Sequence, residues 1–340
     1  MSSVDIIIPN YNYGRFLPDC ISSIESQGID DYRILVVDNA STDDSVAIAR
    51  TCAARNPRIE IVVNETNIGP QGNFNKGLTL ASADYVMFLC ADDWLAPGSM
   101  RRALHALDAH PEASFAIGRE IHLLAEIVDI PPDVLHASAP WAELSCADFI
   151  RRICRFEGEQ LALAGVVMRR AARERAGFYD ERLHYYDDLE MALRLSTFGP
   201  VLLSASCHVI RRMHGANISA TQWQSDLSGF DETLRALAIF FGNEDLDVPD
   251  RIALRREAEH NLAAQIYWRA LSEAASGNIR RAKALYRFAV KIAPRYVFAP
   301  PLGYLRRRGG VRHVAAALRQ RLLRSSAPEP AVRLGSSGGA

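Results

Sequence analysis

The sequence is short of every feature that would mark an extracellular, membrane-spanning or nucleic-acid-binding chain. Its six cysteines, at positions 20, 52, 90, 146, 154 and 207, include no C-x-x-C pair and sit in apolar segments. That spacing gives no disulfide framework and no zinc ribbon, and it indicates reduced thiols packed as small apolar groups. No stretch approaches about 18 uncharged apolar residues, so no membrane-spanning helix is expected. Met1 runs directly into a strand-like segment without a basic and then apolar leader pattern, which points to a cytoplasmic location. Charge of one sign is also lacking: 39 Lys and Arg stand against 40 Asp and Glu. No whole-molecule field therefore argues for nucleic acid, and electrostatic partners must be read from local clusters. What remains is a chain of 340 residues, long enough to bury a conventional core without staples.

The first 120 residues alternate short apolar runs with helical patterns. "VDIIIP" reads as a strand, and "RFLPDCISSIESQ" places Phe16, Leu17, Cys20, Ile21 and Ile24 on one helical face. "YRILVVD" and "STDDSVAIARTCAAR" repeat the pair, the second with hydroxyl and acidic residues at its start; "IEIVV", a helix around "GNFNKGLTLA", and "YVMFL" continue it. Such a series predicts right-handed βαβ units in a mostly parallel sheet with helices on both faces. The carboxyl ends of the strands are then the ligand edge. The stretch 120–220 is less regular, with "GVVMRR" and "VLLSASCHVIRR" as strands and the helix "DDLEMALRLSTFG" between them. Beyond about residue 225 the pattern is helical only, with a break at Gly277 and Asn278 similar to the turn of one tetratricopeptide unit.

Polar residues collect where the strands end. Asn10 and Tyr11 follow the first strand, Asp38 ends the second, Asn67 and Gly69 follow the third with Lys76 in the next helix, and "CADDW" sets Asp92 beside Asp93 after the fourth. Two adjacent carboxylates at that edge attract a divalent cation. An isolated pair reads more simply as a cap for the helix after Pro97. Four decorated tips in series are more specific than any one of them.

Together these segments resemble the family 2 glycosyltransferases of the GT-A fold, a Rossmann-like α/β architecture. "IIPNYN", "VVDNASTDDS" and "LCADD" carry the resemblance over the first 100 residues, and "GFYDERLHYYDDLE" and "IRRMHGANIS" extend it to about 220. The resemblance implies that Pro9 and Tyr11 flank a nucleobase with Asn10 beside them. It also implies that Asp38 binds base or ribose, and that Asp92 and Asp93 hold ribose and a Mg²⁺ or Mn²⁺ ion. Asp188 falls on the general-base position, with Asp187 and Glu190 as supporting charges or acceptor-binding groups. His214 is a second candidate metal ligand, and Arg211 or Arg212 would meet the diphosphate. Cys90 departs from the family's usual acid at that place. A base is required because a sugar hydroxyl must lose its proton as it attacks, and acids crowded at 187, 188 and 190 should raise one another's pKa. Trp94 and Trp223 are candidate sugar platforms, with core packing the plainer role.

The implied activity is inverting transfer of a sugar, with UDP as the expected carrier, to a glycan or lipid-linked acceptor in cell-surface polysaccharide synthesis. The expected layout is a transferase domain over 1–222, divided into a nucleotide-sugar half (1–118) and an acceptor half (119–222). A helical module over 223–300, a basic amphipathic segment over 301–324 and a disordered tail over 325–340 follow. Arg306, Arg307, Arg308, Arg312, Arg319, Arg321 and Arg324 lie in that basic segment without an offsetting acid. Residues 304–324 could therefore dock on an anionic membrane surface at about 1 kcal/mol per basic residue, or pack their thin apolar stripe on the protein. Two other functions fit less well. A nucleotidyltransferase needs a glycine-rich basic loop where "PNYNYGRF" stands, and a degenerate binding protein is suggested only by Cys90.

Overall fold

The computed structural model describes residues 2–124, 135, 138–156, 163–184, 186–215 and 226–305. Strands β1 (Val4–Asn10), β2 (Tyr32–Asp38), β3 (Ile59–Val63) and β4 (Tyr85–Phe88) pair in parallel in the spatial order β3-β2-β1-β4. Helices α1 (Leu17–Glu25), α2 (Ser45–Ala53) and α3 (Gly69–Leu80) connect them. Side chains alternate across a strand, and β1 uses both faces. Ile6 and Ile8 join a core with Leu17, Cys20, Ile21 and Ile24 of α1, whereas Ile7 belongs to a second core with Leu78 of α3. The strand order turns back at β1, so a crevice opens between the carboxyl ends of β1 and β4, where open α/β sheets bind ligands.

Helix α3 approaches β1 at a glycine. A Cβ on Gly77 would stand 2.4 Å from Cγ2 of Ile7, and Ile7 is fully buried, so it has nowhere to yield. Gly77→Ala is therefore expected to destabilise the fold by about 1–3 kcal/mol through overpacking. The measurement is a lower urea midpoint at an unchanged m value.

The expectation of a mostly parallel sheet holds only for that first half. Strands β5 (Trp94–Leu95), β6 (Phe115–Leu124), β7 (Trp141–Leu144), β8 (Val167–Arg169) and β9 (Val201–Met213) complete a nine-stranded sheet. β8 is antiparallel to β4 and β6, β5 and β7 are antiparallel to β9, and only β6 with β9 is parallel. The sheet is mixed, because β8 enters between β4 and β6 as a three-residue strand whose sequence carries no directional signal. β6 itself is not evident in the sequence: Gly118, Arg119 and Glu120 interrupt its apolar alternation, and the register with β9 shifts there.

The chain divides into two compact units, residues 1–154 with 160–258, and 155–159 with 259–340. Besides the sheet, the first holds α4 (Ser99–Ala109), α5 (Cys146–Ile153), α6 (Arg170–Ala176), α7 (Asp187–Leu195) and α8 (Asp226–Gly242). It runs past residue 222 because α8 packs on α7 and buries Ala236, Leu237, Phe240 and Phe241. In the second unit the later part of α9 (Arg251–Ala275) and α10 (Ile279–Ile292) bury Leu262, Ile266, Leu285 and Ala289. Gly277 lies between the two helices at φ 86°. No helix among the described residues is long and apolar enough to cross a membrane. From residue 306 onward the basic segment and the tail lie outside the described residues.

Candidate active site

The strand tips enclose a cleft of about 420 Å³. Pro9, Asn10, Tyr11, Asn67, Asp92, Asp93 and Arg211 all line it, together with Cys90, Asn39, Pro70, Asn73 and Phe74. Tyr11 is 42% exposed, which leaves an aromatic face open to a planar ligand. The loops after β2 and β3 are tied by asparagines. Asn39 Nδ2 donates to Asn67 Oδ1 at 2.9 Å and to the Gly69 carbonyl at 3.1 Å, and Asn39 Oδ1 accepts from Asn64 Nδ2 and the Ile68 N–H. Asn73 Nδ2 donates to the Val37 carbonyl. These amides bridge orphan groups at two strand ends and one helix start, as buried polar groups require.

Asp38 and Lys76 are not among the lining residues. Asp38 lies beneath the cleft, 1% exposed. Its Oδ1 accepts from the Ser41 N–H at 2.9 Å, and its Oδ2 accepts from Asn10 Nδ2 and Ser41 Oγ, both at 2.7 Å. Asp38 thus fixes Asn10 and the following turn.

Neither Asp92 nor Asp93 caps the helix after Pro97, since Gly98 occupies the N-cap without a side-chain bond. Asp93 Oδ1 accepts from the Arg212 N–H at 3.0 Å, and Asp92 Oδ2 lies 3.2 Å from His214 Nε2. Burial, and then repulsion from Asp92, pushes Asp93 well above the usual carboxylate range. Burial also raises Asp92, against the lowering pull of His214 and Arg211. Asp5 at the opposite edge of the sheet makes the contrast. Burial raises it too, yet Arg33 at 2.9 Å and the Ser82 and Ala83 N–H groups hold it below its ordinary value. At the strand-tip acids burial outweighs the pull of Arg211, and a divalent ion would relieve both at once. Donor atoms of Cys90, Asp92 and Asp93 lie within 4.8 Å of one another. The two hard carboxylates suit Mg²⁺ or Mn²⁺, whereas burial and the neighbouring acids hold the Cys90 thiol protonated, well above its ordinary pKa.

His214 is not in that donor group. Its ring stacks on Phe16 at 4.8 Å and meets Tyr13 edge-on at 5.7 Å. The fold separates the two arginines that the sequence leaves equivalent. Arg211 lines the cleft, with Nη1 3.3 Å from Glu120 Oε1. The Arg212 guanidinium turns away, donating to Asp19 at 3.0 Å and lying over the rings of Phe16 and Trp94. Trp94 is thereby occupied as a cation–π partner, and Trp223 lies outside the described residues.

Asp188 stands in the first turn of α7. Burial, then the Asp187 charge, pushes it up to about 7, while hydrogen bonds from the Leu163 N–H and the Tyr179 hydroxyl and the charge of Arg211 pull the other way. Tyr179 donates to Asp188 Oδ1 at 3.2 Å, and Asp187 Oδ1 accepts from the Asp188 N–H at 3.0 Å. Glu190 serves the scaffold. It pairs with Arg194 through both oxygens at 2.9 and 2.6 Å, and Arg194 also donates to the carbonyls of Ala176 and Phe178. A larger cavity of about 910 Å³ among α6, α7 and α8 contains that pair, and its Asp180 is likewise paired with Arg182. Sequence reasoning missed Gln71, Asn75 and Tyr179. The available signal was the amide-rich helix "GPQGNFN", polar at positions that a helix packed on a sheet normally fills with apolar groups.

This sheet, its strand-tip cleft and its acids define a GT-A glycosyltransferase domain. Residues 5–133 match glycosyl transferase family 2. A Campylobacter jejuni protein, GalNAc(5)-diNAcBac-PP-undecaprenol beta-1,3-glucosyltransferase, is 32% identical over 130 residues, 37% of this chain and 42% of that protein. A Mycobacterium bovis PGL/p-HBAD biosynthesis glycosyltransferase is 37% identical over 90 residues, 26% of this chain and 35% of the relative. The matches thus span well under half of these curated relatives. Among solved structures, Staphylococcus aureus TarS 1–349 in complex with UDP-GlcNAc superposes with a TM-score of 0.63 at 17% identity, covering 94% of this chain and 92% of that one. Mannosyltransferase PcManGT from Pyrobaculum calidifontis with GDP-Man and Mn²⁺ gives 0.54 at 17% identity, covering 96% and 88%.

Proposed function

We propose that the chain is an inverting glycosyltransferase that moves a sugar from a nucleoside diphosphate sugar, in the first instance a UDP sugar, to a hydroxyl of a glycan or lipid-linked acceptor. The single observation that carries this reading is the placing of Asp92, Asp93 and Arg211 in one cleft within electrostatic reach of Asp188. Arg211 lies in the cleft with the buried Asp92 and Asp93, and its charge also reaches Asp188. The UDP-GlcNAc and GDP-Man in complex with the two structural neighbours support the donor class.

In this reading Tyr11 and Pro9 flank the base, Asp92 takes the ribose, and Arg211 faces the diphosphate. A Mg²⁺ or Mn²⁺ ion held by Asp92 and Asp93 would supply counter-charge to the phosphates when bound. Asp188 accepts the proton of the acceptor hydroxyl as its oxygen attacks the anomeric carbon opposite the diphosphate. The bond from that carbon to the diphosphate oxygen breaks, and the nucleoside diphosphate leaves with the electron pair. One displacement inverts the anomeric centre, and no covalent enzyme intermediate is required. The undecaprenol in the name of the C. jejuni relative favours a lipid-linked acceptor. It agrees with a cytoplasmic enzyme docked peripherally through 304–324 in the assembly of cell-surface polysaccharide.

The test is a panel of UDP-GlcNAc, UDP-glucose, UDP-galactose and GDP-mannose with Mn²⁺, scored for release of UDP or GDP as the sugar passes to water or to a polyprenol-linked glycan. Turnover of one donor is expected, and its loss on chelation. A second reading, a degenerate nucleotide-binding scaffold, has Cys90 in its favour. It predicts a rise in Tm with UDP and Mn²⁺ but no turnover of any donor in the panel.

A further inference from the structure

Helix α3 presents one face to the donor and another to the base. Its Pro70, Asn73 and Phe74 line the cleft. Gln71 and Asn75, four residues apart and so neighbours on the helix surface, reach instead to the segment that leads into α7. Gln71 Nε2 donates to the His184 carbonyl and to Asp187 Oδ2, each at 3.1 Å. Asn75 brackets Tyr179: its Oδ1 accepts from the Tyr179 N–H at 2.8 Å, and its Nδ2 donates to the Tyr179 carbonyl at 3.1 Å. Tyr179 in turn donates to Asp188, and Asp187 accepts from the Asp188 N–H. The Phe74 ring completes the link, 5.4 Å from that of Tyr179 and on the same helix as both amides.

We propose that Gln71 and Asn75 are positioning residues that hold the general base against the bound donor, tying Asp188 to the helix whose first turns line the nucleotide cleft. The inference rests on the reading of Asp188 as the base. Four hydrogen bonds involving two side chains span sequence separations of 104 to 116 residues: one ends on Asp187 beside Asp188, one on His184 in the segment leading to it, and two on the tyrosine that bonds to it. A mixed strand–helix layer could pack here with apolar contacts alone. Two amides matched to backbone and carboxylate groups fix direction as well as distance, and reaction rate is sensitive to that, since a misplacement of about 1 Å can cost ~10²-fold.

Gln71→Met keeps the side-chain volume and removes the donor; Asn75→Ala removes the bracket from the other end of the segment, so the inference does not depend on one variant folding. Each is compared with the parent in release of UDP or GDP from the four-donor panel and in the rise in Tm caused by UDP with Mn²⁺. The expected result is kcat lower by tenfold or more, on the order of the positioning losses above, with an unchanged UDP-dependent Tm rise. In an Asp188→Asn background, Gln71→Met should lower the residual rate no further, because residues that act as a unit are not additive. Parent-like kcat in both variants overturns the inference. So does a parallel loss of kcat and of the UDP response, or a full additive loss in the Asp188→Asn background, since each would mean general structural damage. Parent-like kcat in Asp188→Asn alone removes the base assignment, and this inference with it, and is recognised in the same assay.

Discussion

Asp188→Asn is expected to lower kcat by about 10²–10⁴, the usual contribution of a positioned proton acceptor, and to leave the UDP- and Mn²⁺-dependent rise in Tm intact. Asparagine keeps an oxygen for the Tyr179 hydroxyl, which donates to Asp188 Oδ1 at 3.2 Å, so the local packing survives while the basic group is lost. The pH dependence follows with its sign. A base works only when ionised, and Asp188 is pushed up to about 7 by burial and by Asp187. The rate of the parent should therefore fall about tenfold for each unit of pH below 7 and level off above it. Asp187→Asn removes the neighbouring charge, which is the second cause of the rise, so the acidic limb should move to lower pH. Gln71, Tyr179, Arg211 and the Leu163 N–H face the pair from the packed elements and are unchanged in that variant. An unmoved limb, or full turnover by Asp188→Asn, would reassign the base.

Asp93→Asn carries the second large effect, and it separates function from stability by sign. In the parent, binding of UDP with Mn²⁺ at a hundredfold excess over Kd should stabilise the fold by about 2.7 kcal/mol, seen as a rise in Tm. The variant should lose that response, because one of the two hard donors is gone. Without ligand it should be as stable as the parent or more so. Asp93 is 3% exposed and pushed well above the carboxylate range by burial and by Asp92, so its negative charge opposes folding at neutral pH. An asparagine Oδ1 can still accept from the Arg212 N–H, the bond that Asp93 Oδ1 makes at 3.0 Å. A variant that is less stable without ligand and equally responsive to it would mean that the acid is structural.

The contrast between Asp5 and Asp93 explains how much could be read in advance. Both are buried carboxylates of the same sheet, but Asp5 stands at the amino edge with Arg33 beside it, and Asp93 follows the carboxyl end of β4. Position along a strand is written in local periodicity, so the acid at the ligand edge is legible without coordinates. The role of Arg211 is not, because Arg211 and Arg212 are adjacent in β9 and side chains alternate across a strand. Which of them faces the cleft depends on register with β6, and that register slips between Ile117 and Glu120.

By itself the sequence determined that the first four strands alternate with helices in a parallel half-sheet, the edge at which polar residues gather and the helix pair broken at Gly277. Each of these follows from patterns confined to about ten consecutive residues, where apolar period and turn chemistry act directly. Only the tertiary structure decided that β8 runs antiparallel between β4 and β6, that Asp38 is spent on Asn10 and Ser41, and that Gln71 and Asn75 grip the segment before Asp188. Apart from the local bond between Ser41 and Asp38, those outcomes depend on which groups meet across tens to more than a hundred residues of chain. Such meetings are selected by the packing of the whole core and leave no periodic trace in either segment.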